Sequence, residues 1–162
     1  MKINEDIKCR RLVEDDLSDV FNLTSNEKIS QYMYFKRHKS IDEAKELLDK
    51  YIKSEGYAIL IHNEFAGVFV FKEYESEYEY SMSTFLNETY WSKGYSTVIL
   101  SYMMKYAKGE LKAKALVAYV VEKNEGSRKV LLKNGFNESK VLHFEDLPCG
   151  LIIYRKEFYQ GL

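Results

Sequence analysis

Two segments of the chain combine residue types at spacings that could do chemistry. The first is Lys93-Gly94-Tyr95-Ser96-Thr97, lying between an alternating apolar stretch and one of helical periodicity. The free N–H groups of a helix's first turn point outward, and the helix dipole favours an anion there. A glycine lets the backbone approach phosphate oxygens, while small hydroxyls and a lysine add donors and charge. The segment therefore fits a pyrophosphate held at a helix N-terminus. It has neither the second glycine and Gly-Lys-Ser/Thr of a Walker A loop nor the GxGxxG of a dinucleotide fold. The same residues also suit an ordinary glycine turn into a helix. The second segment runs from Asn124 to Phe136, Asn-Glu-Gly-Ser-Arg-Lys-Val-Leu-Leu-Lys-Asn-Gly-Phe. Asn124 is a good N-cap, and its amide could equally bond an amide of a ligand. Gly135 suits the φ > 0 position after a helix, with Phe136 turning back into the core.

Other candidates carry less. Glu73, Glu75, Glu77 and Glu79 recur at period two and share one face if their strand is continuous. That face would be an acidic lip for a cationic amine or a basic protein tail; a solvated hairpin is the alternative, and the commoner fate of a charge run. His38, His62 and His143 lie in separate segments without metal-ligand spacing, so no metal is expected. Cys9 reads as a small hydrophobe in a strand. Cys149 follows Pro148 in a turn, and no base is paired with it.

The elements that must position these segments follow from periodicity. A strand is expected at 7–12, then a helix opened by Glu14-Asp15-Asp16 with Leu17, Val20, Phe21 and Leu23 on its apolar side. A short helix is expected over 27–35, and a longer one from the Ser40-Ile41-Asp42-Glu43 capping box to near Gly56. Strands follow at 57–61, 65–72 and 77–86, the first two as a hairpin. The pyrophosphate-type loop leads into a helix ending at Gly109; then come a buried strand at 115–121, the helix capped by Asn124, and strands at 137–144 and 151–156. The order β-α-α-α-β-β-β-α-β-α-β-β implies an α/β mixed sheet with helices on its faces.

Composition bounds the partners. The chain has 162 residues, 24 Lys+Arg against 25 Asp+Glu and a net charge of −1. That length is read as a single domain spanning 1–162. Without a basic surplus, an electrostatic grip on nucleic acid or anionic lipid is not expected. No apolar run reaches the ~20 residues of a membrane helix, no signal-peptide pattern opens the chain, and its two cysteines are far apart. A cytoplasmic location, as monomer or homodimer, is the expectation. There are 14 Tyr and 9 Phe against one Trp and one Pro; most tyrosines read as rim and core residues.

Taken together, the two segments resemble the GNAT superfamily of acyl-CoA-dependent N-acetyltransferases over nearly the whole chain. The family's cofactor loop is Arg/Gln-x-x-Gly-x-Gly/Ala; Trp91, Ser92, Lys93, Gly94, Tyr95 and Ser96 stand there, departing at the first and last places. Tyr-Trp-x-Lys-Gly-Tyr and NxxSxxVxxxNGF are similar to the branch that acetylates N-termini of ribosomal proteins (alanine/serine type). The resemblance implies a mixed, mostly antiparallel sheet of six to seven strands, about four flanking helices, and a fourth and fifth strand splayed for the pantetheine arm. It implies acetyl-CoA as cosubstrate and no metal. Phe85 and Leu86 would offer backbone to the pantetheine, Ser92, Lys93, Gly94, Tyr95, Ser96 and Thr97 would hold the pyrophosphate, and Asn124 would bond the arm. The implied reaction is direct attack of an amine on the thioester. The acceptor would be a protein or peptide N-terminal amine, with a polyamine or amino sugar/antibiotic, or a catalytically silent acyl-CoA-binding module, as alternatives.

An alkylamine with pKa about 10 is protonated at neutral pH, so a base or a relay of water must take its proton. The branch resemblance implies Ser127 as the acid and Glu145 as the nearest match to its glutamate; Ser127 as a helix cap and Glu145 as a solvated turn acid are the alternatives. Many relatives keep a Tyr acid where this chain has Leu131, another branch keeps a base Glu where it has Tyr119, and the fourth-strand acid common elsewhere falls near Ser81, with Glu79 two residues back.

Overall fold

The computed structural model describes residues 1–147 and 149–158. Its seven strands are β1 (Ile7–Arg11), β2 (Glu55–Ile61), β3 (Glu64–Glu73), β4 (Glu79–Leu86), β5 (Ala115–Val121), β6 (Asn137–Leu142) and β7 (Leu151–Glu157). Five helices interleave with them: α1 (Leu17–Thr24), α2 (Glu27–Ser30), α3 (Ile41–Lys53), α4 (Tyr95–Gly109) and α5 (Glu125–Lys133). Short 3-10 turns precede α1 (Glu14–Asp16) and α4 (Glu88–Tyr90). The sheet order is β1-β2-β3-β4-β5-β7-β6. This is the expected element order and the mixed α/β class, with five helices rather than about four. Among the described residues no helix is long and apolar enough to cross a membrane.

Tertiary contacts divide the chain into two compact units. The first holds 1–31, 35–71 and 83–95. Here β1 pairs antiparallel with β2 (Cys9↔Ile59) and β2 with β3 (Tyr57↔Phe69). The β2–β3 turn is His62-Asn63, both with φ > 0 (50° and 66°), the signature of a type I′ hairpin. Ile59, Ile61, Val68, Phe69, Val70 and Phe71 are all buried, as is Cys9, the small hydrophobe expected. Successive residues pointing to opposite faces of β3 are thus both out of solvent, so its sequence reads as a continuous apolar run. Ala44, Leu48 and Tyr51 of α3 and Val20 and Leu23 of α1 are buried too, with α3 packed on both α1 and β2.

The second unit holds 32–34, 72–82 and 96–162, as far as described. Its β4 and β5 run parallel, from Glu79↔Ala115 to Met82↔Ala118. β5 pairs antiparallel with β7, and β7 with the edge strand β6. Leu116, Val117, Ile152, Ile153 and Tyr154 are buried, along with Ile99 and Met103 of α4, Leu131 of α5 and Phe136.

Several boundaries shift by a residue or more from expectation, and three of the differences matter most. The helix expected over 27–35 stops at Ser30, capped at its start by Asn26, whose Oδ1 accepts from the N–H groups of Lys28 and Ile29. Strand β6 ends at Leu142 instead of 144. The glutamate run is not one strand face: β3 ends at Glu73, the chain turns through 74–78 with Tyr78 at φ 65°, and β4 starts at Glu79. Backbone bonds from Tyr74 N–H to Glu79 O (2.8 Å) and from Glu79 N–H to Ser76 O (3.0 Å) close that turn. The solvated-hairpin reading holds, and Glu79 alone of the four is withdrawn into an ion pair with Arg155.

In the first unit, Asp16 ties the start of α1 to β1. Its 3 % exposed carboxylate accepts both Arg10 guanidinium nitrogens (2.8 and 2.9 Å) and the Val13 N–H (2.9 Å). Burial pushes this carboxyl up, but Arg10 and the Val13 N–H together outweigh it and hold the pKa below the usual carboxylate range. A depressed folded-state pKa means stability present above the unfolded value and lost as pH falls through the folded one. Asp16→Asn should therefore cost about 1.5–3 kcal/mol near neutral pH. Urea denaturation should show the gap between variant and parent narrowing as pH falls below the ordinary carboxylate range.

Candidate functional site

Because β4 and β5 are parallel, the connection between them must cross back over the sheet, and α4 is that crossover. Each of these strands then feeds the N-terminus of a helix, β4 into α4 and β5 into α5. In open sheets with parallel strands, ligands gather beyond the carboxyl ends of those strands, where helix N-termini supply N–H groups. Each of the two segments singled out from the sequence leads into one of these helix starts.

The loop between β4 and α4 is held at several points. Asn87 N–H bonds Ala66 O (2.7 Å), and Asn87 Oδ1 accepts from Thr89 N–H (3.0 Å), capping the 3-10 turn. The indole N–H of Trp91 donates to Leu86 O at 2.9 Å, tying the loop back onto the end of its own strand. Tyr90 and Tyr95 meet edge to face, 5.9 Å between centroids. Between them Ser92 (φ 58°) and Gly94 (φ 84°) are both left-handed, the backbone ingredient of anion-binding concavities. A Cβ on Gly94 would meet nothing within 4 Å, so what requires glycine is its φ and the open space above it. Ser92, Lys93, Ser96 and Thr97 are exposed. Among the described residues the Lys93 ammonium makes no ion pair, and the Ser96 and Thr97 hydroxyls form no hydrogen bond.

Leu86 is buried and Phe85 half-buried, its ring edge-on to Phe35 at 5.9 Å. They pass so close to β3 that a Cβ on Gly67 would overlap the Phe85 carbonyl oxygen and lie 3.0 Å from Leu86 Cα. The parallel ladder reaches only Met82, leaving Ser83 to Leu86 beyond the last pair with β5.

The start of α5 is equally defined. Asn124 Oδ1 caps the helix, accepting the Ser127 N–H at 3.2 Å. Among the described residues its Nδ2 has no acceptor, and the Ser127 hydroxyl has no hydrogen-bond partner. Ser127 is therefore not the cap. Next to it Arg128 anchors the turn: Nε donates to Tyr154 OH (3.1 Å), Nη1 to Glu122 O (3.1 Å) and Nη2 to Glu138 (3.3 Å). The Tyr154 hydroxyl in turn donates to Glu138 at 2.8 Å. Nothing in the spacing of Arg128, Glu138 and Tyr154 announced this network, since its members come from α5, β6 and β7.

The remaining acid–base candidates separate clearly. Glu79 accepts both Arg155 guanidinium nitrogens, which hold its carboxyl below the usual range and so keep it an ionised, engaged partner. Ser81 stands within the ladder, paired with Val117. Leu131 is buried in the core. Glu145 is exposed in the turn after β6 and no hydrogen bond joins it to Ser127. Tyr119, half-buried on β5, donates to Tyr74 OH at 3.1 Å. Burial first, then that bond, pushes its phenol well above the ordinary tyrosine range, so it is a neutral donor and not a base. No group of three or more His, Cys, Asp or Glu among the described residues could hold a metal ion.

Comparison with known proteins agrees with this arrangement. The family model described as "Acetyltransferase (GNAT) domain" matches residues 7–137. Among solved structures, a GNAT-family acetyltransferase from Bacillus anthracis superposes with TM-score 0.83 at 19% identity, over 94% of this chain and 95% of that one. A ribosomal L7/L12 α-N-protein acetyltransferase in complex with coenzyme A gives 0.81 at 18% identity, over 96% of each chain. A spermidine N-acetyltransferase from Vibrio cholerae in complex with CoA and spermine gives 0.82 at 18%, over 95% and 96%. A search of curated proteins gives no match. The chain belongs to the GNAT acetyltransferase family. It is accordingly an acyl-CoA-dependent N-acetyltransferase, with acetyl-CoA as cosubstrate.

The indole N–H of Trp91 gives the loop a structural tie that spans five residues. Trp91→Phe keeps an aromatic side chain, though a smaller one, and deletes the donor, so urea denaturation should show a loss of at least about 0.5–1.5 kcal/mol. Steady-state kinetics should show a raised KM for acetyl-CoA with kcat little changed.

Proposed function

We propose that the protein transfers the acetyl group of acetyl-CoA to a primary amine, the α-amine of a protein or peptide N-terminus. The observation that carries this reading is the first turn of α5, where Asn124 caps the helix and the Ser127 hydroxyl has no hydrogen-bond partner among the described residues, in a pattern, NxxSxxVxxxNGF, that resembles the branch that acetylates ribosomal-protein N-termini. The solved relatives do not choose among acceptors, since one is a protein N-terminal acetyltransferase and another acts on spermidine.

The residues present fit the cosubstrate. Ser92 to Thr97 would hold the pyrophosphate on backbone N–H groups, with the unengaged Lys93 ammonium and the Ser96 and Thr97 hydroxyls supplementing them. The backbone of Phe85 and Leu86, beyond the last β4–β5 pair, would hydrogen-bond the pantetheine arm; one lone pair of the Leu86 carbonyl already accepts the Trp91 indole. Asn124 Nδ2 is the donor for an amide carbonyl of the arm. Acetyl-CoA supplies the thioester carbonyl: the C–N bond forms, the C–S bond breaks, and CoA leaves as the thiol. Ser127 is assigned to deliver the proton that the sulfur takes up, its hydroxyl being re-protonated, through water, by the proton the amine nitrogen loses as the C–S bond breaks. Glu145, solvated in the turn after β6, is assigned to receive the amine proton, through water. Tyr119 cannot take it, because its environment keeps the phenol protonated.

Acetyl-CoA should raise the melting temperature of the protein, and Gly94→Leu should abolish that shift by filling the open space above the loop and straining a φ of 84°. No stabilisation of the unmutated protein by acetyl-CoA overturns the reading. Free-thiol release over a panel of peptides and small amines then tests turnover. CoA freed only when an amine is present supports the transferase; cosubstrate binding without turnover on any acceptor supports a silent binding module. Ser127→Ala should lower kcat by about 10²-fold with acetyl-CoA binding retained, the size expected for a general acid. Unchanged turnover would retire Ser127 from that role.

A further inference from the structure

Three tyrosines of the second unit gather into one cluster. Tyr34 comes from the link between α2 and α3, Tyr74 from just past β3, and Tyr119 from β5; all are half-buried. The Tyr119 ring lies 6.4 Å from that of Tyr34, tilted by 51°, and 6.3 Å from that of Tyr74, at 64°. Its hydroxyl bonds that of Tyr74 at 3.1 Å. Rings tilted against each other at this spacing are not stacked face to face, and it is the face of an aromatic ring that attracts a cation. The field at the cluster has the same sign preference. Glu75 acts on the Tyr119 hydroxyl as a nearby negative charge. Unlike Glu79, neither Glu75 nor its neighbours Glu73 and Glu77 make an ion pair among the described residues. Finally, Tyr119 is the first residue of β5 past the last parallel pair, Met82↔Ala118, so the cluster stands where the ladder ends.

We propose that Tyr34, Tyr74 and Tyr119 form a recognition surface for an alkylammonium group of the acceptor, so that the preferred acceptor carries a second positive charge besides the amine that is acetylated. This rests on the acetyl-transfer reading above and adds to it a charge requirement set by tyrosine faces. An alkylammonium is available both from a free diamine and from a lysine side chain close to a peptide's N-terminus. The recognition is the same in each: a cation against aromatic faces, strengthened by partial desolvation.

The test is steady-state acetylation by the full chain with two matched pairs of acceptors. One pair is 1,4-diaminobutane and n-butylamine; the other is a peptide with lysine at its second position and the same peptide with glutamine there. We expect kcat/KM about tenfold higher for the doubly charged member of at least one pair, with the preference shrinking as salt rises. Preference confined to the amines assigns a small polyamine, and preference confined to the peptides assigns a basic N-terminus. Tyr119→Leu and Tyr74→Leu should each bring the ratio to within about threefold while KM for acetyl-CoA holds; Tyr119→Phe, which keeps the ring, should keep most of it. Equal kcat/KM within both pairs, or a preference untouched by both leucine variants, overturns the proposal. If none of the four acceptors turns over, calorimetric binding to the CoA-loaded protein decides: a diamine bound no more tightly than the monoamine, and a lysine peptide no more tightly than its glutamine partner, overturns it as well. In all these outcomes stabilisation by acetyl-CoA persists; its absence would instead remove the transferase reading, and this inference with it.

Discussion

Four residues of parallel ladder, Glu79 to Met82 against Ala115 to Ala118, set the direction of everything the second unit presents. A parallel pair cannot be joined by a tight turn, so the chain must leave β4 at its carboxyl end, return as a helix and enter β5 from the same side as before. That requirement sends α4 and then α5 out from the same end of the pair, each with its first turn leading. The ladder is itself pinned at its start. Arg155 of β7 pairs with Glu79 of β4, and β5 lies between them, with Val117 opposite Arg155 and Ala115 opposite Glu79. An ion pair that spans three strands resists shearing of any one of them, and a slip of a single residue would turn every side chain of that strand to the other face.

The α5 turn shows how far burial on one side of the sheet reaches into chemistry on the other end. Tyr154 is fully buried on β7, and a buried phenol needs a hydrogen-bond partner. It has two, Arg128 and Glu138, and Arg128 also reaches the Glu122 carbonyl just ahead of the helix. The residues on either side of Asn124 and Ser127 are thereby tied down, while among the described residues Asn124 Nδ2 and the Ser127 hydroxyl make no hydrogen bond.

Much of this was legible from residue order, for physical reasons. Strands such as β5 and β7 are buried on both faces and read as apolar runs; α3 announces itself through the Ser40 cap and its i, i+3/i+4 apolar side. The loop at Lys93–Thr97 and the Asn124 cap are local, so their chemistry sits in consecutive letters. What local spacing does not carry is any contact closed over a long sequence separation. Gly67 looks like an ordinary strand residue until Phe85 and Leu86 are found against it. The indole tie from Trp91 to Leu86 and the node at Arg128 were invisible for the same reason. The glutamate run misled in the opposite sense, because its strict period of two matched a strand while Tyr78 at φ 65° broke that strand in the middle. Tyr119 drew notice only as a residue standing where relatives keep an acid; its meeting with Tyr34 and Tyr74 depends on segments far apart in the chain.

The chain has a single tryptophan, and that tryptophan closes the loop between β4 and α4 through its own indole N–H. Indole emission responds to the hydrogen bond and polarity at that nitrogen, and no second indole dilutes the signal. The protein therefore carries a built-in optical reporter at the loop between β4 and α4. It needs no label attached and no residue exchanged.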